Sequence, residues 1–308
     1  MLSPNRLQAL LVGLPELELK WWEPLARYTT FRVGGSVLCL VRPKTEDALI
    51  GLMRALRQNE VPCFILGGGS NLLLPDGEWN TLAIQLDLCS GEIVPEREAG
   101  RCSARLLVGA GVRLPRLMRY CLGERLGGLE FLVGIPGMVG GALVMNAGTG
   151  DGCVADGLVW IDALDEENRR QRIMRSDLSP GYRSMGLPDG WVILGCCLAV
   201  DPCSDDGQRM RLSEIMRQRK KTQPLGRPSA GCIFKNPKDL AAGALIERSG
   251  LKGLRVGDAE VSRKHANWII NCGNARARDV VALIERIESR VERDFGVRLE
   301  REIRIIES

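Results

Sequence analysis

A chain of 308 residues with 45% hydrophobic and 26% charged residues is longer than one average domain and can bury a full core, which excludes a disordered chain, a collagen and a coiled coil. The net charge of +4, from 42 basic and 38 acidic residues, is too balanced for a dedicated nucleic-acid binder, and 5% aromatic residues leave little for base stacking. The single histidine, His265, excludes a histidine-rich metal site. The 11 cysteines (Cys39, Cys63, Cys89, Cys102, Cys121, Cys153, Cys196, Cys197, Cys203, Cys232 and Cys272) show no C-x-x-C spacing and read as buried thiols of a reducing compartment, so no metal is expected.

In chain order, Leu7, Leu10, Leu11 and Leu14 share one helical face, and the acidic residues soon after them speak for an amphipathic helix over a signal peptide. Residues 36–41 predict a strand. Thr45 caps a helix that turns Leu49, Leu52, Met53 and Leu56 inward, and 61–66 predicts the next strand, which makes a βαβ unit on a small mixed sheet. A second unit has a strand at 105–108 and a helical pattern through Leu114, Leu117, Met118 and Leu122. Residues 131–150 are 20 positions without a formal charge, but six glycines, Pro136 and Asn146 argue against a membrane span. Strands follow at 159–164, 171–174 and 191–200, with antiparallel pairing expected.

The polar stretch 201–213 predicts a domain boundary near residue 203, ahead of the basic run Arg217, Arg219, Lys220 and Lys221. The last third predicts a helix at 241–249 and a strand at 267–271. A long helix at 275–295 follows, with Val280, Ile284, Ile287, Val291 and Phe295 on one face, Asn274 as its cap and Gly296 at its end. Residues 297–306 alternate as a final strand. Val297, Leu299, Ile303 and Ile305 lie on one face and Glu300 and Glu302 on the other. The expected fold class is α/β (α+β).

Two glycine clusters stand out. Gly67-Gly68-Gly69-Ser70-Asn71 follows a strand directly, so its peptide N–H groups can converge on an anion, or it is a tight hairpin turn. It is neither a G-x-G-x-x-G fingerprint nor a Walker A loop, and the other candidate, Gly226 to Gly231, continues with Cys232 in place of lysine. Gly134-Ile135-Pro136-Gly137-Met138-Val139-Gly140-Gly141-Ala142, leading to Met145-Asn146-Ala147-Gly148, leaves a surface nearly free of side chains. Either a flat ligand lies there or two elements pack closely.

The two clusters belong to a longer series. RYTTFRVGG at 27–35, GGGSNLL at 67–73, GIPGMVGGALVMNAG at 134–148, YRS at 182–184, SAGCIFKNP at 229–237, GLRVGDAEVSRKHAN at 253–267 and LERE at 299–302 occur in this order. The series resembles the UDP-N-acetylenolpyruvoylglucosamine reductase (MurB) family of peptidoglycan synthesis, from about residue 23 to the end. No insertion carrying a mobile tyrosine is evident, which points to the shorter branch.

The resemblance implies a two-lobed FAD-binding domain of the vanillyl-alcohol-oxidase (PCMH) type at 1–203, split near 95, and a smaller α+β substrate domain at 204–308. It implies non-covalent FAD held by Tyr28, Thr29, Gly67, Gly68, Gly69, Ser70, Asn71, Gly134, Ile135, Pro136, Gly140, Gly141, Asn146, Ala147 and Gly148. NADPH would give a hydride to FAD, which passes it to the terminal vinyl carbon of UDP-N-acetylglucosamine enolpyruvate. The charge left beside the carboxylate then needs a cation and one proton. By the same resemblance Cys232 is the proton donor, Arg183 the cation and Glu302 the third catalytic residue, with Lys221 and Asn236 as substrate ligands.

Each of these residues also has an ordinary structural reading. Cys232 is one of many buried thiols, Arg183 a surface arginine, Glu302 a solvated strand residue and Lys221 part of a solvated helix face. A thiol with a pKa of ~8.5 is mostly protonated at neutral pH and can donate. His265 is expected to be structural. The implied location is the cytoplasm, where NADPH and UDP-sugars are found, with no nucleic-acid partner and no membrane insertion. A flavin oxidase of related fold, or a nucleotide-binding protein without turnover, are the competing expectations.

Overall fold

The computed structural model describes residues 4–96 and 104–307, so Cys102 lies outside it. The N-terminal leucines form α1 (Pro4–Val12), which ends before Leu14 and buries Leu7 and Leu11. Four strands lie in the order Leu17–Pro24, Ser36–Pro43, Glu78–Ile84, Cys63–Ile65. Ser36–Pro43 is interior in this sheet and buries Val37 to Val41 without alternation, as a strand covered on both faces must. Thr45 opens α2 (Glu46–Gln58) as expected, its Oγ1 accepting the Ala48 N–H at 3.2 Å. The predicted βαβ unit forms with one difference. Glu78–Ile84 lies between its two strands and pairs in parallel with Cys63–Ile65.

A second sheet runs Arg170–Met174, Leu158–Leu164, Val192–Pro202, Ala104–Gly109, Ile93–Glu96, antiparallel throughout as the sequence suggested. α3 (Leu114–Gly123) turns Leu114, Leu117, Met118 and Cys121 inward. The uncharged stretch 131–150 gives only the six-residue helix α4 (Val139–Val144) amid turns, and the four-residue α5 (Val154–Gly157) follows it. Among the described residues no helix is long and apolar enough to cross a membrane.

The chain folds as two compact units, one of residues 1–21, 39–68 and 81–216, the other of 22–38, 69–80 and 217–308. They are interleaved along the chain, where the sequence suggested a single cut near 203. The polar stretch there is no linker, because Asp205 begins the helix α6 (Asp205–Thr222), whose last turn carries Arg219, Lys220 and Lys221.

The second unit is built on Ser229–Cys232, Trp268–Asn271, Ala259–Val261 and Arg255–Val256, in that order, with α7 (Ala242–Arg248) and α8 (Ala277–Phe295). Its core gathers Phe31, Val33 and Leu73 with Ile233, Phe234, Ile246, Val261 and Ile269, and with the α8 stripe Val280, Ile284, Ile287 and Val291. Gly296 ends α8 in the left-handed region at φ 68°. Its start differs from expectation. Asn274 donates its N–H to Asp258 instead of capping, and the Asp76 carboxylate accepts the Ala277 and Arg278 N–H groups at 2.8 and 3.1 Å. The final strand also shortens to Arg304–Ile305, parallel to Leu72–Leu73. The C-terminal segment changes partner, bonding first to 233–235 and then to 71–73, so it keeps no single ladder.

Candidate active site

In the first unit the two glycine clusters touch main chain to main chain. A Cβ on Gly68 would stand 2.4 Å from the Gly137 Cα and 2.9 Å from its carbonyl carbon. Gly67 and Gly141 differ, since a Cβ at either would meet nothing within 4 Å. The backbone therefore presents bare peptide to open space at Gly67 and Gly141, in loops that meet without side chains at Gly68 and Gly137, a cradle that any larger residue would fill. Gly134, at φ 75°, and Ile135 and Pro136 lead into it, and Gly140 donates its N–H to Ala110 O at 2.9 Å, which holds the start of α4 down.

Asn146 and Arg183 both occupy the left-handed region, at φ 40° and 60°, where non-glycine residues are strained and functional sites concentrate. They are linked. Asn146 Oδ1 accepts the Ala155 N–H at 3.1 Å and its Nδ2 donates to Gly181 O at 3.1 Å, while Arg183 Nη1 donates to Gly148 O at 3.3 Å. Gly181 and Ser184 close a tight turn around Tyr182 and Arg183, and the guanidinium lies 5.1 Å from the Tyr182 ring centre. The turn thus aims Arg183 at the end of the segment expected to line the flavin. The Asn146 side chain is committed to backbone, and Ala147 carries on from it, bonded to Ala142 O and Val154 N–H.

In the second unit Gly69, at φ 58°, packs so closely that a Cβ would lie 2.2 Å from Tyr28 O, and its carbonyl accepts the Thr30 N–H at 3.0 Å. Tyr28 donates its hydroxyl proton to the buried carboxylate of Glu23, which also binds Arg27. Thr29 is buried, its Oγ1 lying 3.1 Å from Ala26 O and 3.2 Å from Val33 O. Ser70 and Asn71 are half-buried.

Cys232 ends the strand Ser229–Cys232 just after Gly231, at φ 79°, and the ladder to Trp268–Asn271 shifts register between Ser229 and Cys232. Such a bulge re-aims the side chain beyond it. Glu302 donates its N–H to Ile233 O at 2.8 Å, so the thiol and the carboxyl sit on neighbouring backbone. Glu300 is exposed and ion-paired with Lys235, whereas Glu302 is half-buried. Asn236 accepts the Ala242 N–H at 3.1 Å and so caps α7. Lys220, Gln223, Pro224, Leu225, Gly226, Arg227 and Lys264 line a groove of about 440 Å³. Lys221 follows Lys220 in the last turn of α6 and is exposed.

The sequence matches two families, the FAD binding domain over residues 37–172 and the C-terminal domain of UDP-N-acetylenolpyruvoylglucosamine reductase over 223–306. A UDP-N-acetylenolpyruvoylglucosamine reductase of Syntrophobacter fumaroxidans is 55% identical over 295 residues, covering 95% of this chain and 85% of the relative. The chain belongs to the UDP-N-acetylenolpyruvoylglucosamine reductase family. A Syntrophus aciditrophicus reductase of the same name is 41% identical over 92% of this chain and 90% of its own length. The crystal structure of the Thermus caldophilus MurB superposes with a TM-score of 0.77 at 36% identity, over 94% of this chain and 99% of that one.

For a member of this family the glycine cradle fits FAD, since bare peptide and open space are what a pyrophosphate and a flat ring require. Burial of the thiols is less complete than the sequence suggested, since Cys39, Cys121, Cys196 and Cys197 are buried and the other six described cysteines are half-buried. Burial pushes Cys121 up to about 12 and Cys197 up to about 11, leaving them inert, and no disulfide joins the described cysteines. Burial, reinforced by Lys252, holds His265 below the usual histidine range, so it is neutral at pH 7. The basic run already held Lys220 beside Lys221, whereas Glu23, Arg227 and Lys264 were not among the sequence candidates. Arg227 sat in the loop dismissed as a failed Walker A, and Lys264 inside the quoted S-R-K-H motif. For Glu23 no sequence signal existed.

Proposed function

We propose that the chain reduces UDP-N-acetylglucosamine enolpyruvate to UDP-N-acetylmuramate, a step of peptidoglycan precursor synthesis, with NADPH as reductant and non-covalent FAD. The observation that carries this reading is the joining of Cys232 and Glu302 on adjacent backbone, in a chain 55% identical to a reductase of that name. Bound FAD would supply hydride transfer from NADPH to the terminal vinyl carbon. Electrons of the C=C bond then collect at the carbon bearing the carboxylate, and Arg183 pairs with that negative charge. Cys232 gives its proton to the same carbon, completing the addition of one hydride and one proton across the double bond. Glu302, whose peptide bonds to the residue after Cys232, returns a proton to the thiolate in this reading.

The cationic end of α6, Lys220 and Lys221, with Arg227 and Lys264, offers charge for the diphosphate, and Asn236 is a further substrate contact. Peptide groups of Gly67 to Ser70, and the 134–148 segment with Gly140, Gly141 and Gly148, hold the cofactor, with Tyr28 and Thr29 behind them. The reaction belongs in the cytoplasm, where both substrates are found. The test is NADPH oxidation by FAD-loaded protein with and without the enolpyruvyl sugar. Oxidation that requires the sugar supports the reading. Oxidation that requires only oxygen, or none, overturns it.

A further inference from the structure

The Gly67–Asn71 loop ends on a residue whose side chain turns toward the catalytic carboxyl's own peptide. Asn71 Nδ2 donates to Glu302 O at 3.0 Å, and Asn71 O accepts the Arg304 N–H at 3.0 Å. The Asn71 amide and carbonyl thus bracket residues 302–304, and Leu72–Leu73 continues the contact as a parallel ladder with Arg304–Ile305. From its other side Glu302 is held by Ile233, whose carbonyl accepts the Glu302 N–H at 2.8 Å. One peptide, Glu302, is therefore fixed on its N–H by the residue after Cys232 and on its C=O by the residue that ends the glycine loop. Glu302 itself lies outside any strand, and the strand that follows it, Arg304–Ile305, is only two residues long, too short to fix a register unaided.

We propose that Asn71 is a positioning residue for Glu302 and that its side chain serves proton delivery to the substrate more than cofactor binding. The inference rests on the functional reading above. An asparagine suits this place because its side-chain amide donates to Glu302 O beside the main-chain bond from Arg304 to its own carbonyl. Without the donor, the Glu302 peptide loses the bond that ties its carbonyl to the glycine loop, and its position beside Ile233 and Cys232 is less firmly set. A misplacement of about 1 Å costs on the order of a hundred-fold in rate.

The experiment compares wild type with Asn71→Asp, which keeps the shape and removes the donor, and Asn71→Ala. FAD affinity is measured by titrating the apoprotein and following flavin fluorescence. The two half-reactions are followed separately by stopped flow, as flavin bleaching by NADPH and as flavin reoxidation by the enolpyruvyl sugar without oxygen. In both variants reoxidation by the sugar should fall about ten- to a hundred-fold more than FAD affinity or the rate of bleaching does. A general loosening of the loop would weaken FAD and slow both half-reactions alike, and that outcome overturns the assignment. So does reoxidation at the wild-type rate in both variants. If the wild type itself is not reoxidised by the sugar, the functional reading fails, a result distinct from either outcome for Asn71.

Discussion

Gly67→Ala separates the cradle from the fold. A Cβ at Gly67 meets nothing within 4 Å, and the residue lies outside the left-handed region, so alanine fits without strain. The apoprotein should hold its melting temperature or gain slightly, because alanine narrows the unfolded ensemble by about 0.4–1 kcal/mol. FAD binding should suffer, since the added methyl occupies the space assigned to the pyrophosphate. Losing one charge-assisted hydrogen bond of roughly 1.5–3 kcal/mol corresponds to about ten- to a hundred-fold weaker affinity. Gly68→Ala is the contrast. Its Cβ would stand 2.4 Å from the Gly137 Cα, where ordinary contact begins at 3.4 Å, so the two loops must part by about 1 Å. Overpacking of that kind costs about 1–3 kcal/mol, and here the apoprotein itself should melt lower. The assay pairs thermal melts of the apoproteins with FAD titrations. Wild-type FAD affinity in Gly67→Ala would show that no ligand approaches this face, and a lowered apoprotein melt would show that the space is not open.

Further outcomes follow from single contacts. Cys232→Ala should keep bleaching of the flavin by NADPH and lose most sugar reduction; sugar reduction at near the wild-type rate removes Cys232 as proton donor. Asn146→Ala breaks two hydrogen bonds in a buried, left-handed position and should lower stability by roughly 2–4 kcal/mol in urea melts. A loss below about 0.5 kcal/mol would show that this side chain does not hold the Arg183 turn. Burial pushes Asp165 up, but hydrogen bonds from Gln171 and Arg169 outweigh it and hold the carboxyl at about 2, against an ordinary 3.8. A depressed carboxyl stabilises the fold above its unfolded pKa, so its contribution is full above 3.8 and lost as the pH falls toward 2. Asp165→Asn should flatten acid destabilisation in that window, and an unchanged acid limb would contradict the assignment.

Much of the fold was legible in the sequence because local signals and tertiary packing agree there. The Thr45 cap, the α8 stripe and the Gly296 stop each rest on a few neighbouring residues. What sequence could not show depends on residues far apart. Asp76 reaches across about 200 positions to cap α8, which displaced Asn274 from that role. Glu78–Ile84 enters the sheet between two strands consecutive in the βαβ pattern, and the segments 22–38 and 69–80 leave their sequence neighbours for the C-terminal unit.

At the site, the ordered motifs carried the family but not which atoms face a ligand. Asn71 and Asn146 read as cofactor residues, yet their side chains bind the backbone of Glu302 and of Gly181. Glu302 was chosen over Glu300 by resemblance, and the structure adds only that Glu300 is exposed and ion-paired with Lys235 while Glu302 is half-buried. The 217–221 basic run pointed to Lys221, whereas the groove is lined by Lys220 with Arg227 and Lys264, contributed by a loop and a turn that periodicity does not reveal.

The central claim is tested most directly by incubating FAD-loaded protein with NADPH and UDP-N-acetylglucosamine enolpyruvate under nitrogen and identifying the sugar product by mass spectrometry. The account predicts one NADPH consumed for each sugar converted, with the vinyl group replaced by the saturated lactyl ether. An unchanged enolpyruvyl sugar in the presence of bound FAD and NADPH would contradict it.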